Sequence, residues 1–279
     1  MRLSIITVNL NNREGLRRTM ESVISQTWND YEWIIIDGGS TDGSKELIEE
    51  KQVLLAYWCS ESDRGVYHAM NKGIVKAKGT YLYFLNSGDV LYDKLSLEKI
   101  FQNVSSLYAD VVYGNAVRIE NKREKLWEFP SRVDLEFLCY SNICHQSMFI
   151  RSNVLKETGY DESYKIYADW ARWIQIYLDG GTFQYVPIVV CGYEMGGLSN
   201  TPKLIDEEYK RIIGLIPNSC LKKYLFLNYQ YKVVLDGHEK LAIDIIALVK
   251  ERTLFKFLIL GNVLFVKCLR KLISFFPNL

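Results

Sequence analysis

Three aspartates, Asp37, Asp63 and Asp89, have the residue type and the setting that chemistry at a sheet edge requires, and a fourth, Asp169, stands at the start of a helix. Residues 81–85, YLYFL, are an unbroken apolar and aromatic run, the pattern of a strand covered on both faces. Asn86-Ser87-Gly88 then ends the run and presents Asp89 at its carboxyl edge, where open α/β sheets bind ligands. An acidic oxygen there can hold Mg2+ or Mn2+ against a diphosphate, because these ions bind through one or two carboxylates plus phosphate oxygens. Asp37 follows a second apolar run and leads the turn Gly38-Gly39-Ser40-Thr41-Asp42-Gly43. It is suited to accepting hydrogen bonds from a nucleobase or ribose, or to capping its own turn. Asp63, with Arg64 and Gly65, stands at the entrance to a helix, and Asp169 opens the helical run WARWIQIYL, either as an ordinary helix cap or as a general base. Solvated loops alone would explain one or two such placements.

The glycine turn invites three readings that fail on residue order. A phosphate-binding loop needs Gly-Lys-Ser/Thr at its end, and here Ser44-Lys45 is reversed. A dinucleotide fingerprint needs glycine at position 40, which is Ser, and the hydrolase elbow G-x-S-x-G fails at Asp42.

The elements that must position these side chains follow from periodicity. Residues 3–8 predict a buried strand, and residues 13–26 a helix with Leu16, Met20, Val23 and Ile24 on one face. Residues 33–36 and 54–58 predict further strands, with a helix from Val66 to Gly79 after the latter. Alternation of strand, turn and helix means a parallel sheet with crossover helices. Beyond Asp89 the pattern predicts a helix near 96–104, a hairpin through 111–113 and 116–119, and a loop around Phe129-Pro130. His145 and Gln146 fall at the start of a strand, residues 186–195 read as another strand, and Gly196-Gly197-Leu198-Ser199 as a hinge-like loop.

The chain has 279 residues, 48% hydrophobic and 24% charged, enough to bury a full core. Its net charge of +1 gives no footprint for nucleic acid. From Asn218 onward ten Lys and Arg face four Asp and Glu, a net of +6, so the rest carries −5. Six cysteines (Cys59, Cys139, Cys144, Cys191, Cys220, Cys268) show no metal spacing and read as reduced and mostly buried. The amino-terminal apolar run is too short for a signal peptide and lacks a cleavage site, which points to the cytoplasm.

Taken in order, TVNLNN, IIDGGSTDG, SESDRGVYHAMNKGI, YLYFLNSGD, HQSMFIR, YADW and GYEMGGLS resemble the family 2 glycosyltransferases of GT-A fold, over about the first 200 residues. The nearest likeness is to the branch that builds bacterial surface polysaccharide and O-antigen units. The resemblance implies an α/β, Rossmann-like, mixed and mostly parallel sheet flanked by helices across residues 1–202; beyond its reach, residues 203–279 are expected to form a helical carboxyl-terminal extension. It implies inverting transfer of a hexose or N-acetylhexosamine from a nucleotide-diphospho-sugar, UDP by default, to a saccharide or lipid-linked acceptor, with Mg2+ or Mn2+. By the same likeness, Thr7, Asn9, Asn11 and Asp37 hold base and ribose, and Asp63 is a nucleotide-side acid. Asn86, Ser87 and Asp89 fall on the diphosphate and metal motif, with Arg64 or Lys72 assisting the leaving group, and Asp169 falls on the catalytic base. His145 and Gln146 are assigned to the acceptor side, His145 to acceptor or diphosphate, with a structural role beside the strand as its competing reading. Tyr167 and Trp170 either stack on a sugar or form a packed aromatic pair.

Two departures stand out. Asp37-Gly38 replaces the usual paired aspartates, and Asn86-Ser87-Gly88-Asp89 replaces an Asp-x-Asp-Asp type run, leaving one acid for a metal. A sugar-nucleotide-binding pseudoenzyme is therefore a rival reading, and a sugar nucleotidyltransferase, whose basic glycine-rich signature is missing, ranks lower. In the basic tail, residues 254–276 wind as a helix with an apolar face and a basic edge (Lys256, Lys267, Arg270, Lys271). Its longest uncharged run, 257–266, is far below the ~20 residues of a spanning helix. It suits peripheral contact with an anionic membrane on the cytoplasmic side, or packing against the body or a partner subunit.

Overall fold

Every residue of Leu3–Asn9 (β1) is buried, because this strand is flanked by parallel neighbours and covered on both faces. The computed structural model describes residues 2–101, 109–120, 123–194 and 202–216. Strand β1 pairs in parallel with Tyr31–Asp37 (β2) on one side and Tyr81–Phe84 (β4) on the other, and Tyr57–Ser60 (β3) extends the sheet beyond β2. Four further strands complete the path: Val90–Leu91 (β5), Val111–Glu120 (β6), Met148–Arg151 (β8) and Phe183–Glu194 (β9), in the order β3-β2-β1-β4-β8-β6-β9-β5. Arg123–Trp127 (β7) pairs with β6 off this path. The β3-β2-β1-β4 half is parallel, and β8 joins it to the second half by antiparallel pairing on both sides.

Helices Arg13–Ile24 (α1), Ser44–Lys51 (α2) and Val66–Lys76 (α3) are the connections of the parallel half. In α1, Leu16, Met20 and Val23 are buried, each contributing roughly 1.5–3 kcal/mol by leaving water. Ile24, expected on the same face, is instead 47% exposed, while its neighbour Val23, about 100° round the helix, is fully buried. Short helices Ser96–Phe101 (α4), Leu135–Tyr140 (α5) and Ser152–Lys156 (α6) follow, then Ala168–Leu178 (α7) and Pro202–Leu215 (α8).

Three sequence expectations are corrected. The third strand starts at Tyr57, since Leu54 closes a 3-10 turn (Gln52–Leu54) and is half exposed. Helix α3 ends at Lys76, where Ala77 turns extended. Residues 111–119 are one strand, not a hairpin: at Gly114-Asn115 the register against β9 jumps from Tyr113↔Tyr185 to Asn115↔Val189, a bulge in place of a turn. Asn115 fixes that bulge, its Oδ1 accepting from Phe129 N and the Tyr185 hydroxyl, both at 3.1 Å. The hairpin falls one step later, closing on Glu120↔Arg123.

The first compact unit is Met1–Leu215, so α8, which packs on α7, belongs to it. The second unit, Ile216–Leu279, lies outside the described residues beyond Ile216, and with it the 254–276 segment, Cys220 and Cys268; the 196–199 loop is outside them as well. Cys139, Cys144 and Cys191 are buried, Cys59 is half-buried, and none of these four forms a disulfide among the described residues. Among the described residues no helix is long and apolar enough to cross a membrane.

Candidate active site

Register alone assembles the first cluster. Asn9, Asp37 and Ser60 are Cα partners across β1, β2 and β3, at the carboxyl end of each strand. The fully buried Asp37 carboxylate accepts from Asn9 Nδ2 (2.7 Å), Ser40 Oγ (2.5 Å), Ser40 N (2.9 Å) and Ser60 Oγ (2.6 Å). Burial alone would raise its pKa, but the hydrogen bonds from Ser40, Ser60 and Asn9 outweigh that and hold it below the ordinary carboxylate value. Asn11 braces the same turn, its N–H donating to Ser40 Oγ and its Oδ1 accepting from Thr41 N. Thr7 does not join them: it is fully buried and accepts from the Trp33 indole at 3.1 Å, so its side chain faces the core.

Gly38, where paired acids are common, lies against Asp63. A Cβ there would sit 2.6 Å from Asp63 Oδ2, too close for any side chain while Asp63 keeps its place. Asp63 Oδ1 accepts from Gly65 N at 2.8 Å and so shapes the entrance to α3. Arg64 and Lys72, expected beside the leaving group, are each engaged with an acid: Arg64 with Glu162 (2.6 Å) and Lys72 with Glu61 (2.8 Å).

The turn Asn86-Ser87-Gly88-Asp89 is pinned from α1. Asn12, the N-cap of that helix, donates Nδ2 to Ser87 O at 2.9 Å, Thr19 Oγ1 accepts from Gly88 N at 3.0 Å, and the Thr19 hydroxyl donates to Asp89 O at 2.7 Å. Gly88 has φ +105°, a left-handed conformation that side chains rarely adopt. The buried Asp89 carboxylate accepts from Gln146 Nε2 at 3.0 Å, so Gln146 faces the turn.

His145, in a 3-10 turn (His145–Ser147) before β8, bridges this turn to α7. Its Nε2 lies 3.1 Å from Asn86 Nδ2 and its Nδ1 3.1 Å from Asp169 Oδ2. The other Asp169 oxygen accepts from Trp170 N at 2.8 Å and faces the Tyr67 hydroxyl at 3.2 Å, which also donates to Ile166 O at 2.5 Å. Burial alone would lower the His145 pKa. The hydrogen bond and charge of Asp169, with Asp89 behind it, reverse this and raise it above the ordinary histidine value. Burial and the Asp169 charge also push the Tyr67 phenol well up, so it remains a donor. Both His145 nitrogens are engaged, which favours the bridging role over direct acceptor contact. Trp170 is likewise packed, 6% exposed, with its indole donating to Leu138 O at 2.6 Å and Tyr167 edge-on at 5.3 Å.

A cavity of about 230 Å3 opens beside this cluster, walled in part by Arg64, Tyr67, His68, Glu162, Tyr164 and Ile166. Among the described residues, no three His, Cys, Asp or Glu side chains gather as a complete metal set. Asp89 and the buried, unpartnered Asn86 Oδ1 share one turn, which fits an ion whose remaining ligands come from a diphosphate.

Residues 4–168 match the family model Glycosyl transferase family 2. A PGL/p-HBAD biosynthesis glycosyltransferase of Mycobacterium bovis is 33% identical over 218 residues, covering 74% of this chain and 81% of the relative. Glycosyltransferase GlyG of Streptococcus pneumoniae is 31% identical over 118 residues, 40% of this chain and 38% of that protein. Among solved structures, S. aureus TarS 1-349 superposes with TM-score 0.64 at 18% identity over 78% of this chain, which spans 66% of that one, and it has also been solved with UDP-GlcNAc. The mannosyltransferase PcManGT from Pyrobaculum calidifontis, in complex with GDP-Man and Mn2+, gives TM-score 0.54 at 14% identity over 92% of this chain and 82% of that one. These structural likenesses show a GT-A fold, and the family match over residues 4–168 with the 33% identical relative shows a sugar-transferring enzyme. The chain belongs to the family 2 glycosyltransferases.

Sequence reasoning missed Ser40 and Ser60 as partners of Asp37, and Asn12 and Thr19 as the pins of the Asp89 turn. Asn12 carried a signal, an N-cap asparagine before the apolar pattern of α1. Thr19 carried none, since its hydroxyl reaches residues 67 to 70 positions away in sequence.

Proposed function

We propose that this glycosyltransferase moves a hexose or N-acetylhexosamine, with inversion, from a UDP-sugar to a hydroxyl of a saccharide acceptor, lipid-linked, in bacterial surface polysaccharide synthesis. The observation that carries the reading is the continuous chain Asn86–His145–Asp169, which joins the Asp89 turn to a carboxylate held from both oxygens. Inverting transfer needs a base at the acceptor hydroxyl and positive charge at the departing diphosphate. Asp169 takes the hydroxyl proton as that oxygen bonds to the anomeric carbon, while the bond from that carbon to the diphosphate breaks and the nucleoside diphosphate leaves. An ionised carboxylate offers about four acceptor sites; His145 and the Trp170 amide take two, and the single Tyr67 proton, shared with Ile166 O, no more than a third, which leaves room for the acceptor. His145 and Tyr67 hold it in place, and Asn9, Asp37 and Asp63 line the nucleotide end. A divalent ion, when bound, would rest on Asp89 with Asn86 Oδ1 and diphosphate oxygens and would supply positive charge to the leaving group.

The UDP and UDP-GlcNAc complexes of TarS support the choice of UDP, and the Mn2+ in PcManGT supports the ion. A panel of UDP- and GDP-sugars, scored for nucleoside diphosphate release by the purified full chain, tests the reading. Release that requires Asp169 supports it, and donor binding without turnover across the panel would establish the pseudoenzyme instead.

A further inference from the structure

We infer that Glu208 is a positioning residue for the catalytic carboxylate, acting from α8 on the loop that delivers Asp169. This rests on Asp169 being the base. Glu208 is 3% exposed and its carboxylate accepts from three consecutive backbone N–H groups: Lys165 (2.5 Å) on Oε1, and Ile166 and Tyr167 (both 2.9 Å) on Oε2. These are the last residues before α7, whose N-cap, Tyr167, makes no side-chain capping bond. One carboxylate from another helix thus satisfies three backbone donors just before α7, at the terminus where negative charge is favoured. The same loop is gripped from the opposite side, because Ile166 O accepts from the Tyr67 hydroxyl that also faces Asp169. Arg211, one turn on in α8, adds a second clamp, donating to Ser163 O (3.2 Å) and Ser163 Oγ (2.6 Å) and lying 3.7 Å over the Tyr164 ring. Helix α8 therefore fixes residues 163–167 at several points. The position of Asp169 relative to His145 follows from that anchorage.

The decisive variant is Glu208→Gln, which keeps the shape but replaces one acceptor oxygen with an amide that meets backbone N–H groups donor to donor. Ile212→Ala, on the same helix and fully buried, is the control: it lowers the melting temperature while leaving the carboxylate in place. Both full-length variants are assayed for transfer and for nucleoside diphosphate release with UDP-N-acetylglucosamine and UDP-glucose, and amide exchange is followed at residues 165–169 without donor. In Glu208→Gln the expected result is a fall in kcat of about 10- to 100-fold with donor KM held within about twofold, and faster exchange at 165–167. Ile212→Ala should keep kcat within about twofold of wild type at 25 °C. Equal kcat losses in the two variants, or unchanged exchange in Glu208→Gln, would overturn the inference. Transfer that survives Asp169→Asn in the same assay would instead overturn the assignment of the base, whatever Glu208 does.

Discussion

Nδ1 of His145 lies 3.1 Å from Oδ2 of Asp169, although the two residues come from different elements, the turn before β8 and the first turn of α7. An ionised carboxylate only accepts, so the proton between them is on Nδ1, and the neutral ring then accepts from Asn86 through Nε2. On protonation Nε2 becomes a donor, and the buried Asn86 Oδ1, which has no partner, is the acceptor that an amide flip would offer.

Replacing Asp169 by Asn keeps the shape and removes the basicity. Transfer should fall on the order of 10²–10⁴-fold while donor binding stays nearly intact. Steady-state rates beside calorimetric donor affinity check this, and near wild-type transfer would remove Asp169 from the chemistry.

His145→Gln should lower kcat by about 10-fold with little change in donor KM, because the carboxylate loses the group that orients it. Stability adds a second readout. The folded-state pKa of His145 is raised above its unfolded value near 6.5, so its contribution is fully present below that value and is lost as pH rises through the folded one. The unfolding free-energy gap between wild type and His145→Gln should therefore be larger at about pH 5.5 than at about pH 9. A gap that grows with pH contradicts the assignment.

Asp37→Asn should destabilise the protein by about 2 kcal/mol, since the amide nitrogen meets donors from Ser40, Ser60 and Asn9. The folded pKa of Asp37 lies below its unfolded value of 3.8, so this contribution is present above that value and lost as pH falls through the folded one. Denaturant titrations at about pH 7 and about pH 3 test both statements; a difference that persists undiminished in acid would refute the ionic account.

Asp89→Ala should weaken donor binding in the presence of Mn2+ and matter little once the ion is chelated, because the carboxylate acts through it. Titration of UDP with and without chelator separates the cases. Equal losses in both would make Asp89 a structural partner of Gln146.

The basic segment 254–276 predicts binding to anionic vesicles. Co-sedimentation of the full chain with anionic and neutral liposomes, beside a chain ending near Lys250, measures it. Equal pelleting of the two proteins, or no preference for anionic lipid, defeats the prediction.

The sequence by itself determined the buried strands β1, β2 and β4, the crossover helices between them, and the acids after successive strands. These are local consequences of apolar runs, turn residues and period, and the ordered motifs around Asp37, Asp63, Asp89 and Asp169 made the family legible. It misread residues 111–119 as a hairpin because Gly114-Asn115 carries the same composition in a bulge as in a turn. Only the tertiary structure decided which polar side chains meet. Thr7 and Asn9 are two residues apart on β1, yet Thr7 serves the Trp33 indole in the core while Asn9 faces Asp37. His145 reaches both Asn86 and Asp169, and Glu208 reaches three amides some forty residues earlier, because sheet order and helix packing bring distant segments within hydrogen-bond range. No local pattern encodes such pairings, since each partner's residue type is also common at caps, turns and solvated surfaces.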